Sequence, residues 1–338
     1  MKNKWISKDI FKTALITLVC VNLLVGCSLL PINGTVEEGY AWCNARYLDV
    51  TNEIYRESGS VNPVKEPEFR LAQEGYMYAL ASALVLQKEG KNEDKHFKAP
   101  KYMQQISFLN ERNFSGFEAS TFLIYDPNDE TQLEEVVVAF SGTDSWWDWF
   151  TQNLNPSPLQ NSDAQNYVNK VLDYIEMHHT DTSKEGTPSL IVAGFSLGGG
   201  LAMHVLHNDS NRKIAQAWAF NSSPRTGHEI KVDNRLYLAS TEGEILSTAR
   251  GIRKGSKQLG ALEENYTDDF NLINASSFYL HSRWVLTREM LIYADMLYYE
   301  QSKRKNSSSP ALEILKSSAI TKGCTDKYRL KLEAEGRL

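Results

Sequence analysis

The sequence predicts an α/β fold in which a mostly parallel central sheet is covered by helices. Two observations support this prediction. From residue 136 onward, short apolar runs alternate with segments of helical periodicity, which is the order of a parallel sheet built from βαβ units. The chain of 338 residues has 42% hydrophobic residues and no linker between residues 69 and 300, so this alternation belongs to a single domain.

The first predicted elements precede the parallel part of the sheet. Residues 69–87 have apolar side chains at helical spacing and predict a helix, followed by a charged loop over 88–101. Residues 117–125 and 134–140 predict two strands of a hairpin, because D-P-N-D at 126–129 is typical of a turn. The later predicted strands and helices follow in the order 136–140, 164–178, 190–194, 197–207, 215–220 and 235–240, before an aromatic-rich core helix over 284–303.

The N-terminus has the pattern of an export signal. Four lysines precede an apolar run over 14–25, which is too short to span about 30 Å of hydrocarbon as a helix. The run ends in L-V-G-C at 24–27, which resembles a bacterial lipobox and predicts diacylglyceryl modification of Cys27. An ordinary signal peptide with a chance cysteine is the alternative. The predicted location is the cell envelope, and the outer membrane where there are two membranes, because Ser28 and not Asp follows Cys27.

These patterns divide the chain into four parts. We predict a lipoprotein signal peptide over residues 1–26, a lipidated tether over 27–66, the α/β domain over 67–305 and a C-terminal tail over 306–338.

Charge and cysteine content restrict the partners and the chemistry. The net charge of −6 and the absence of a basic cluster argue against nucleic acid as a partner. If Cys20 is removed with the signal and Cys27 is lipidated, Cys43 and Cys324 remain, and an oxidising compartment favours a disulfide between them over two unpaired thiols. No spacing of Cys or His resembles a metal-ligand set, so we expect neither a metal nor a cofactor.

A candidate nucleophile lies directly after a predicted buried strand. Residues 194–198 are G-F-S-L-G, and two further glycines and a helix follow. G-x-S-x-G at a strand-to-helix turn exposes the serine hydroxyl, here that of Ser196, beside the first N–H groups of the helix. Those groups favour developing negative charge, so the motif predicts nucleophilic catalysis.

Three motifs together resemble a known family. Residues 136–144 are V-V-V-A-F-S-G-T-D and are followed by W-W-D-W at 146–149, and residues 219–227 are A-F-N-S-S-P-R-T-G. With the G-x-S-x-G motif between them, this order is similar to the class 3 lipases, the fungal-lipase-like branch of the α/β-hydrolases. The resemblance covers residues 69–300 and implies an α/β-hydrolase fold and a serine hydrolase of carboxylic esters, most simply a lipase or phospholipase that binds acyl lipids.

The resemblance also implies an oxyanion hole and a lid. The backbone N–H groups of Thr143 and Leu197 would hold the oxyanion, and Ser141 stands where the family usually has Arg. The aromatic side chains that follow would form the lid over an apolar cleft, and the alternative is that they pack on the sheet. They are Trp146, Trp147, Trp149 and Phe150.

The general base follows from the superfamily's chain order of nucleophile, acid and histidine. Three of the seven histidines precede Ser196, and His204 and His207 lie on the helix that leads away from it. His228 would leave only Asp209 between nucleophile and base. His281 remains as the candidate.

The orienting acid is expected in the loop after the predicted strand 235–240. The family has Asp before an apolar pair there, and alignment of that pair with residues 245–246 selects Glu244. Glu242 is the second choice, and Asp268 and Asp269 are more distant ones. A glutamate can orient the imidazole as an aspartate does.

These residues predict a lipid-anchored serine esterase that acts through an acyl-enzyme intermediate. Two alternatives stay open. One is an inactive hydrolase-fold lipoprotein with a binding or structural role, and the other is a thioesterase or peptidase on the same scaffold.

Overall fold

The computed structural model describes eight stretches of the chain, with gaps between them. They are residues 67–142, 158–179, 187–224, 231–247, 250, 259–272, 276–302 and 308–318. Several residues singled out from the sequence lie outside these stretches: Cys27, Cys43, Cys324, Thr143, Trp146, Trp147, Trp149 and Phe150.

Strands and helices alternate through the second half of the described chain. The strands are β1 Met103–Gln105, β2 Glu111–Arg112, β3 Glu118–Asp126, β4 Asp129–Phe140, β5 Ser189–Phe195, β6 Ile214–Phe220, β7 Leu236–Thr241 and β8 Tyr266–Phe270. The helices are α1 Pro67–Leu84, α2 Pro158–His179, α3 Leu197–His207, α4 Ser277–Leu280, α5 Arg283–Gln301 and α6 Pro310–Ser317. Three short 3-10 turns, at 93–95, 107–109 and 263–265, complete the described elements.

The strands of the described residues form one mixed sheet of eight strands. Its order is β1-β3-β4-β5-β6-β7-β8, and β2 pairs with the start of β3. From β4 to β8 every neighbouring pair is parallel, whereas β1, β2 and β4 run antiparallel to β3. The predicted α/β class, the mostly parallel sheet and the hairpin are therefore confirmed.

Side chains of successive strand residues lie alternately in two apolar layers, one on each face of the sheet. On β4, for example, Val137 and Ala139 face a cluster with α1, α5 and α6, whereas Val136 and Val138 face a cluster with α2 and α3. Successive side chains of a strand point to opposite faces, so a strand covered on both sides must be apolar throughout. This explains the uninterrupted V-V-V-A-F run at 136–140 and the buried pattern of β5.

The carboxyl ends of the parallel strands meet at one edge of the sheet. Phe140 is paired with Gly194, and Phe195 is paired with Phe220 in the next strand. Thr241, the last residue of β7, is paired with Phe270. The loops that follow β4 to β8 therefore start from the same edge, which is where parallel α/β sheets bind ligands.

Some elements were not predicted from the sequence. β8 contains two aspartates in five residues, and it can be this polar because it is an edge strand that pairs only with β7. β1 and β2 are too short to show a periodic pattern. β4 begins at Asp129 and not at residue 134, because its mostly exposed first half continues the hairpin beyond the buried part of the sheet.

The predicted C-terminal tail over 306–338 contains part of the packed domain. Ser309 caps α6 by accepting a hydrogen bond from the N–H of Leu312, and Pro310 occupies the first turn. Ala311, Ile314 and Leu315 are buried in the same cluster as α1 and α5. A boundary at residue 305 is therefore too early, because the domain extends at least to the end of α6.

No helix within the described stretches is long and apolar enough to cross a membrane. The core helix predicted over 284–303 is α5, which runs from 283 to 301, and most of its first fifteen residues are buried in the domain.

Helix α1 approaches the sheet closely at Gly75. A Cβ atom placed there would lie 2.3 Å from the ring of Trp218 on β6. That ring is fully buried and stacks on Tyr237 with 4.4 Å between ring centroids and an interplanar angle of 11°. A side chain at residue 75 would therefore displace either the helix or the stacked rings.

We predict that Gly75→Ala lowers the free energy of unfolding by about 1–3 kcal/mol, the usual cost of overpacking a core. In a helix with free space at that position, Gly→Ala instead raises the free energy of unfolding by roughly 0.5–1 kcal/mol. Chemical denaturation measures the difference. Gln73→Ala, an exposed position on the same helix, is the matched control and should change stability little. A stabilised Gly75→Ala protein would contradict the close approach.

Candidate active site

The candidate nucleophile lies on a strained turn between β5 and α3. Ser196 has φ 56° and ψ −115°, a backbone conformation that L-residues rarely adopt. Its N–H donates to the carbonyl of Phe220 at 2.9 Å, and its own carbonyl accepts from the N–H of Ser223 at 3.1 Å. The turn is thus held by the end of β6 and the loop after it. The side chain is not enclosed, since Ser196 is only partly buried.

Two glycines of the motif are required by close contact between backbones. A Cβ at Gly194 would lie 2.2 Å from the carbonyl of Gly198, and a Cβ at Gly198 would lie 2.3 Å from the carbonyl oxygen of Phe140. No side chain fits at either position without moving the strand or the helix. This gives the physical reason for both glycines of G-x-S-x-G, because the helix turns back so close to the strand that the two backbones are in contact.

His281 lies beside the nucleophile, between α4 and α5. Its Nε2 is 3.0 Å from the Ser196 Oγ, which is hydrogen-bond distance. The ring is held by its position as the residue that ends α4 and by contact with the Phe195 ring, 5.4 Å away between centroids. The histidine chosen from chain order is therefore the one that the fold brings to Ser196.

Glu244 follows β7 and reaches the other nitrogen of the same imidazole. Its Oε2 is 2.5 Å from His281 Nδ1 and also accepts from the N–H of Leu246 at 2.9 Å. With Nδ1–H donating to the carboxylate, Nε2 is left to accept the Ser196 proton. The structure thus brings together Ser196, His281 and Glu244 in the order that acyl transfer requires.

A buried ion pair keeps Glu244 charged. The residue is 1% exposed, and burial alone would raise the pKa of its carboxyl group. The attraction and hydrogen bond of His281, the charge of Arg250 and the Leu246 N–H act in the other direction, and the pKa of Glu244 lies below its usual value. The side chain is therefore a carboxylate at neutral pH.

Arg250 is the counterion of Glu244 on the side away from His281. Its Nη2 is 2.5 Å from Glu244 Oε1, and both side chains are almost completely buried. Its Nη1 donates to the carbonyl of Ser222 at 3.0 Å. Sequence reasoning missed this residue. The available signal was that the orienting acid of a catalytic triad is typically buried and then needs a cation, and Arg250 is six residues further along the chain.

A second polar layer fixes the loops that follow β6, β7 and α4. Asn221, which has φ 41°, accepts from the N–H of Thr241 at 2.8 Å and donates to the carbonyl of Leu280 at 3.4 Å. The Thr241 hydroxyl donates to Glu289 of α5 at 3.0 Å. Asn221 thereby connects the strand end before Glu244 to the residue before His281.

The end of β4 lies directly beside the nucleophile turn. A Cβ at Gly142 would be 2.7 Å from the carbonyl oxygen of Phe195 and 3.7 Å from the N–H nitrogen of Leu197. Ser141, which stands where the class 3 lipases usually have Arg, is buried and donates to the carbonyl of Gly142 at 2.9 Å. Leu197 is the first residue of α3, and Thr143 lies outside the described residues.

The other acids considered occupy different positions. Glu242 is exposed and accepts from Asn271 at 3.2 Å. Asp268 and Asp269 lie within β8.

The other described histidines have partners elsewhere. His207 contacts the carbonyls of Met203 and Lys231, and His96 contacts the carbonyl of Lys91. His178 and His179 lie against Tyr174 near the end of α2. Within the described stretches no three His, Cys, Asp or Glu side chains are grouped as metal ligands would be.

Comparison with known proteins gives one family match. Residues 91–238 match the model of the Mbeg1-like family. The matched stretch is less than half of the chain. The matched stretch includes Ser196 and ends before Glu244 and His281. A search of curated proteins gives no significant match.

We predict that Glu244→Gln lowers the free energy of unfolding by about 3–5 kcal/mol at neutral pH, because it leaves Arg250 buried without a counterion. The folded-state pKa of Glu244 is depressed, so its contribution to stability is present above the unfolded value of about 4.3 and is lost as the pH falls through the folded-state pKa. The difference between wild type and variant should therefore shrink in acid.

Denaturant titrations at several pH values measure this difference. The matched control is Glu242→Gln, two residues away and exposed, which should stay within about 0.5 kcal/mol of wild type at every pH. Equal stability of the two variants would show that Glu244 is not a buried charge.

Proposed function

We propose that this protein is a serine hydrolase of carboxylic esters. The observation that supports it most directly is the continuous contact from Ser196 Oγ through His281 to the Glu244 carboxylate, at 3.0 Å and 2.5 Å. These are the nucleophile, base and orienting acid of a catalytic triad, and they come from three loops at one sheet edge.

The arrangement of the triad along the chain favours the α/β-hydrolase fold within the α/β class. The nucleophile follows β5 on a strained turn, the acid follows β7 and the histidine follows β8, which is the chain order of that fold. The antiparallel strands β1 to β3 at one side of a parallel sheet are consistent with it. The class 3 lipase resemblance agrees with this assignment.

In the first half of the reaction His281 acts as the general base. Its Nε2 takes the Ser196 proton while Oγ bonds to the ester carbonyl carbon, and the carbonyl electrons move to the oxygen. The imidazolium then gives the proton to the alkoxide as the bond between carbonyl carbon and leaving oxygen breaks. The products are an alcohol and an acyl group on Ser196.

Water completes the reaction by the same route. His281 takes a proton from water, the hydroxide oxygen bonds to the acyl carbon, and collapse of the intermediate returns the proton to Ser196 and releases the carboxylic acid. Glu244 holds the Nδ1 tautomer throughout and stabilises each imidazolium. The N–H of Leu197, and the expected contribution of Thr143, would stabilise both oxyanions.

Acyl lipids are the proposed substrates, because of the family resemblance and the aromatic segment after β4. A protein anchored by a lipid on Cys27 would meet such substrates at the membrane surface. The Cys43–Cys324 disulfide belongs to the same proposal, since it requires an exported protein.

We predict that wild-type protein hydrolyses p-nitrophenyl butyrate or palmitate and that Ser196→Ala and His281→Ala each reduce kcat by at least about 10⁴-fold. Glu244→Gln should cost about 10⁴-fold, because the amide favours the wrong imidazole tautomer. A fluorophosphonate should label wild type and not Ser196→Ala.

Exposed residues of the same types serve as controls. Ser210→Ala and His178→Ala lie away from the site and should leave the rates unchanged. Full activity of Ser196→Ala would exclude the mechanism. A folded wild type that neither labels with fluorophosphonate nor hydrolyses ester or phospholipid would favour the binding lipoprotein, and preference for thioesters or amides would favour the related hydrolases.

We also predict that the mature protein made in a bacterial host begins at Cys27 and has a diacylglyceryl adduct. Intact-mass spectrometry measures the adduct, and Cys27→Ser should abolish it and release the protein from membranes. The neighbouring Ser28→Ala leaves the modified thiol in place and is the control. A wild-type mass without lipid would contradict the anchor.

A further inference from the structure

The triad belongs to a closed circuit of contacts that includes Arg250, a side chain with no role in the mechanism above, and the backbone of Ser222 and Ser223. Starting at Ser196, the circuit passes through His281 and Glu244 to Arg250, as described above. Arg250 Nη1 donates to the Ser222 carbonyl, and the next N–H, that of Ser223, donates back to the Ser196 carbonyl at 3.1 Å. Arg250 is thus the residue that fixes the nucleophile, the base and the acid relative to one another.

We propose that Arg250 is a positioning residue that sets both the place and the effective charge of Glu244. This inference rests on the proposed hydrolase function and goes beyond it by assigning a fourth member to the site. Arg250 does not touch Ser196 or the imidazole nitrogens, so it acts through the carboxylate.

The positional role follows from the two contacts of one guanidinium. Nη2 is ion-paired with Glu244 Oε1 and Nη1 donates a hydrogen bond to the Ser222 carbonyl, so the loop after β7 is fixed to the loop after β6. A planar guanidinium can hold two oxygens at fixed directions, whereas a lysine ammonium is a single point charge on a flexible stem. Arg250 is 3% exposed, so water does not substitute for it.

The electrostatic role follows from where Arg250 lies. It contacts Glu244 Oε1 whereas His281 contacts Oε2, and its positive charge partly offsets the negative charge that the imidazole experiences. Without Arg250, the imidazolium would be stabilised more strongly by Glu244 and would persist to higher pH. A protonated His281 cannot accept the Ser196 proton, so the pH range of activity would move upward.

Among the described residues, few other charged or titratable groups face this pair. From α4 there is His281, and from β8 there is Tyr266, whose pKa is raised by burial and then by Asp268 and Asp269, while Arg250 lowers it. Because this phenol is neutral at the pH of the experiment, it does not compete with Arg250 for control of Glu244.

The test compares Arg250→Gln and Arg250→Lys with wild type. We expect Arg250→Gln to lower kcat by about 10²-fold, the usual effect of a misplaced catalytic group, with KM unchanged. In the pH profile of kcat/KM for this variant, the acidic limb should move to higher pH by about one unit. Arg250→Lys keeps the charge, so its limb should return toward wild type while kcat stays reduced, because the contact with Ser222 is lost.

Arg235→Gln is the matched control. The Arg235 guanidinium, which is less deeply buried than that of Arg250, is paired with Asp209 at 2.7 Å and Asp233 at 2.8 Å, but it precedes β7 and so lies at the opposite end of the strands. Its loss should lower stability without moving the pH profile. A limb that moves equally in Arg235→Gln, or stays in place in Arg250→Gln, overturns the inference.

A measurement without turnover separates this inference from the proposed function. In Ser196→Ala protein, the pH midpoint of the His281 ring signals in an NMR titration should rise by about one unit on adding Arg250→Gln. An unchanged midpoint overturns the role of Arg250 even where wild type hydrolyses esters, and an inactive wild type with a raised midpoint overturns the hydrolase alone. If Arg250→Gln does not fold, Arg250→Lys tests the positioning role. An unreduced kcat in Arg250→Lys would contradict that role.

Discussion

The chain must change from strand to helix within one residue at Ser196, and the arrangement of the neighbouring loops depends on that constraint. A backbone with φ 56° and ψ −115° costs of order 1–3 kcal/mol. Hydrogen bonds to the Phe220 carbonyl and from the Ser223 N–H offset this cost. Both partners belong to the end of β6 and the loop after it, so the register of β6 against β5 determines whether the nucleophile can be presented at all.

A second constraint, the burial of a carboxylate, involves the same loop. Glu244 needs a hydrogen-bond donor and a cation because an unpaired buried charge is strongly destabilising. Arg250 supplies the cation and is itself held by the carbonyl of Ser222. Residues 221–223 therefore serve the strained turn and the buried acid together. Ser222 and Ser223 do so through backbone groups, whereas Asn221 contributes its side-chain amide.

The sequence allowed most of the parallel sheet to be predicted because its strands are buried on both faces and are apolar throughout. It also allowed Ser196, His281 and Glu244 to be chosen, since a local motif, chain order and an aligned apolar pair each restrict one of them. It did not reveal β8 or α6, whose positions are decided by tertiary packing and not by periodicity. Arg250 and Asn221 were missed for a related reason: they act on loops distant in sequence, and no local pattern distinguishes them from other polar residues.

The pairing of Glu244 with Arg250 stabilises the fold and reduces the negative charge that Glu244 presents to His281. A bare carboxylate in this position would give the imidazolium the strongest stabilisation, but burying it would destabilise the fold. A carboxylate whose charge is partly offset can be buried, and it then acts on His281 more through direction and less through charge. His281 is consequently held in one orientation and one tautomer.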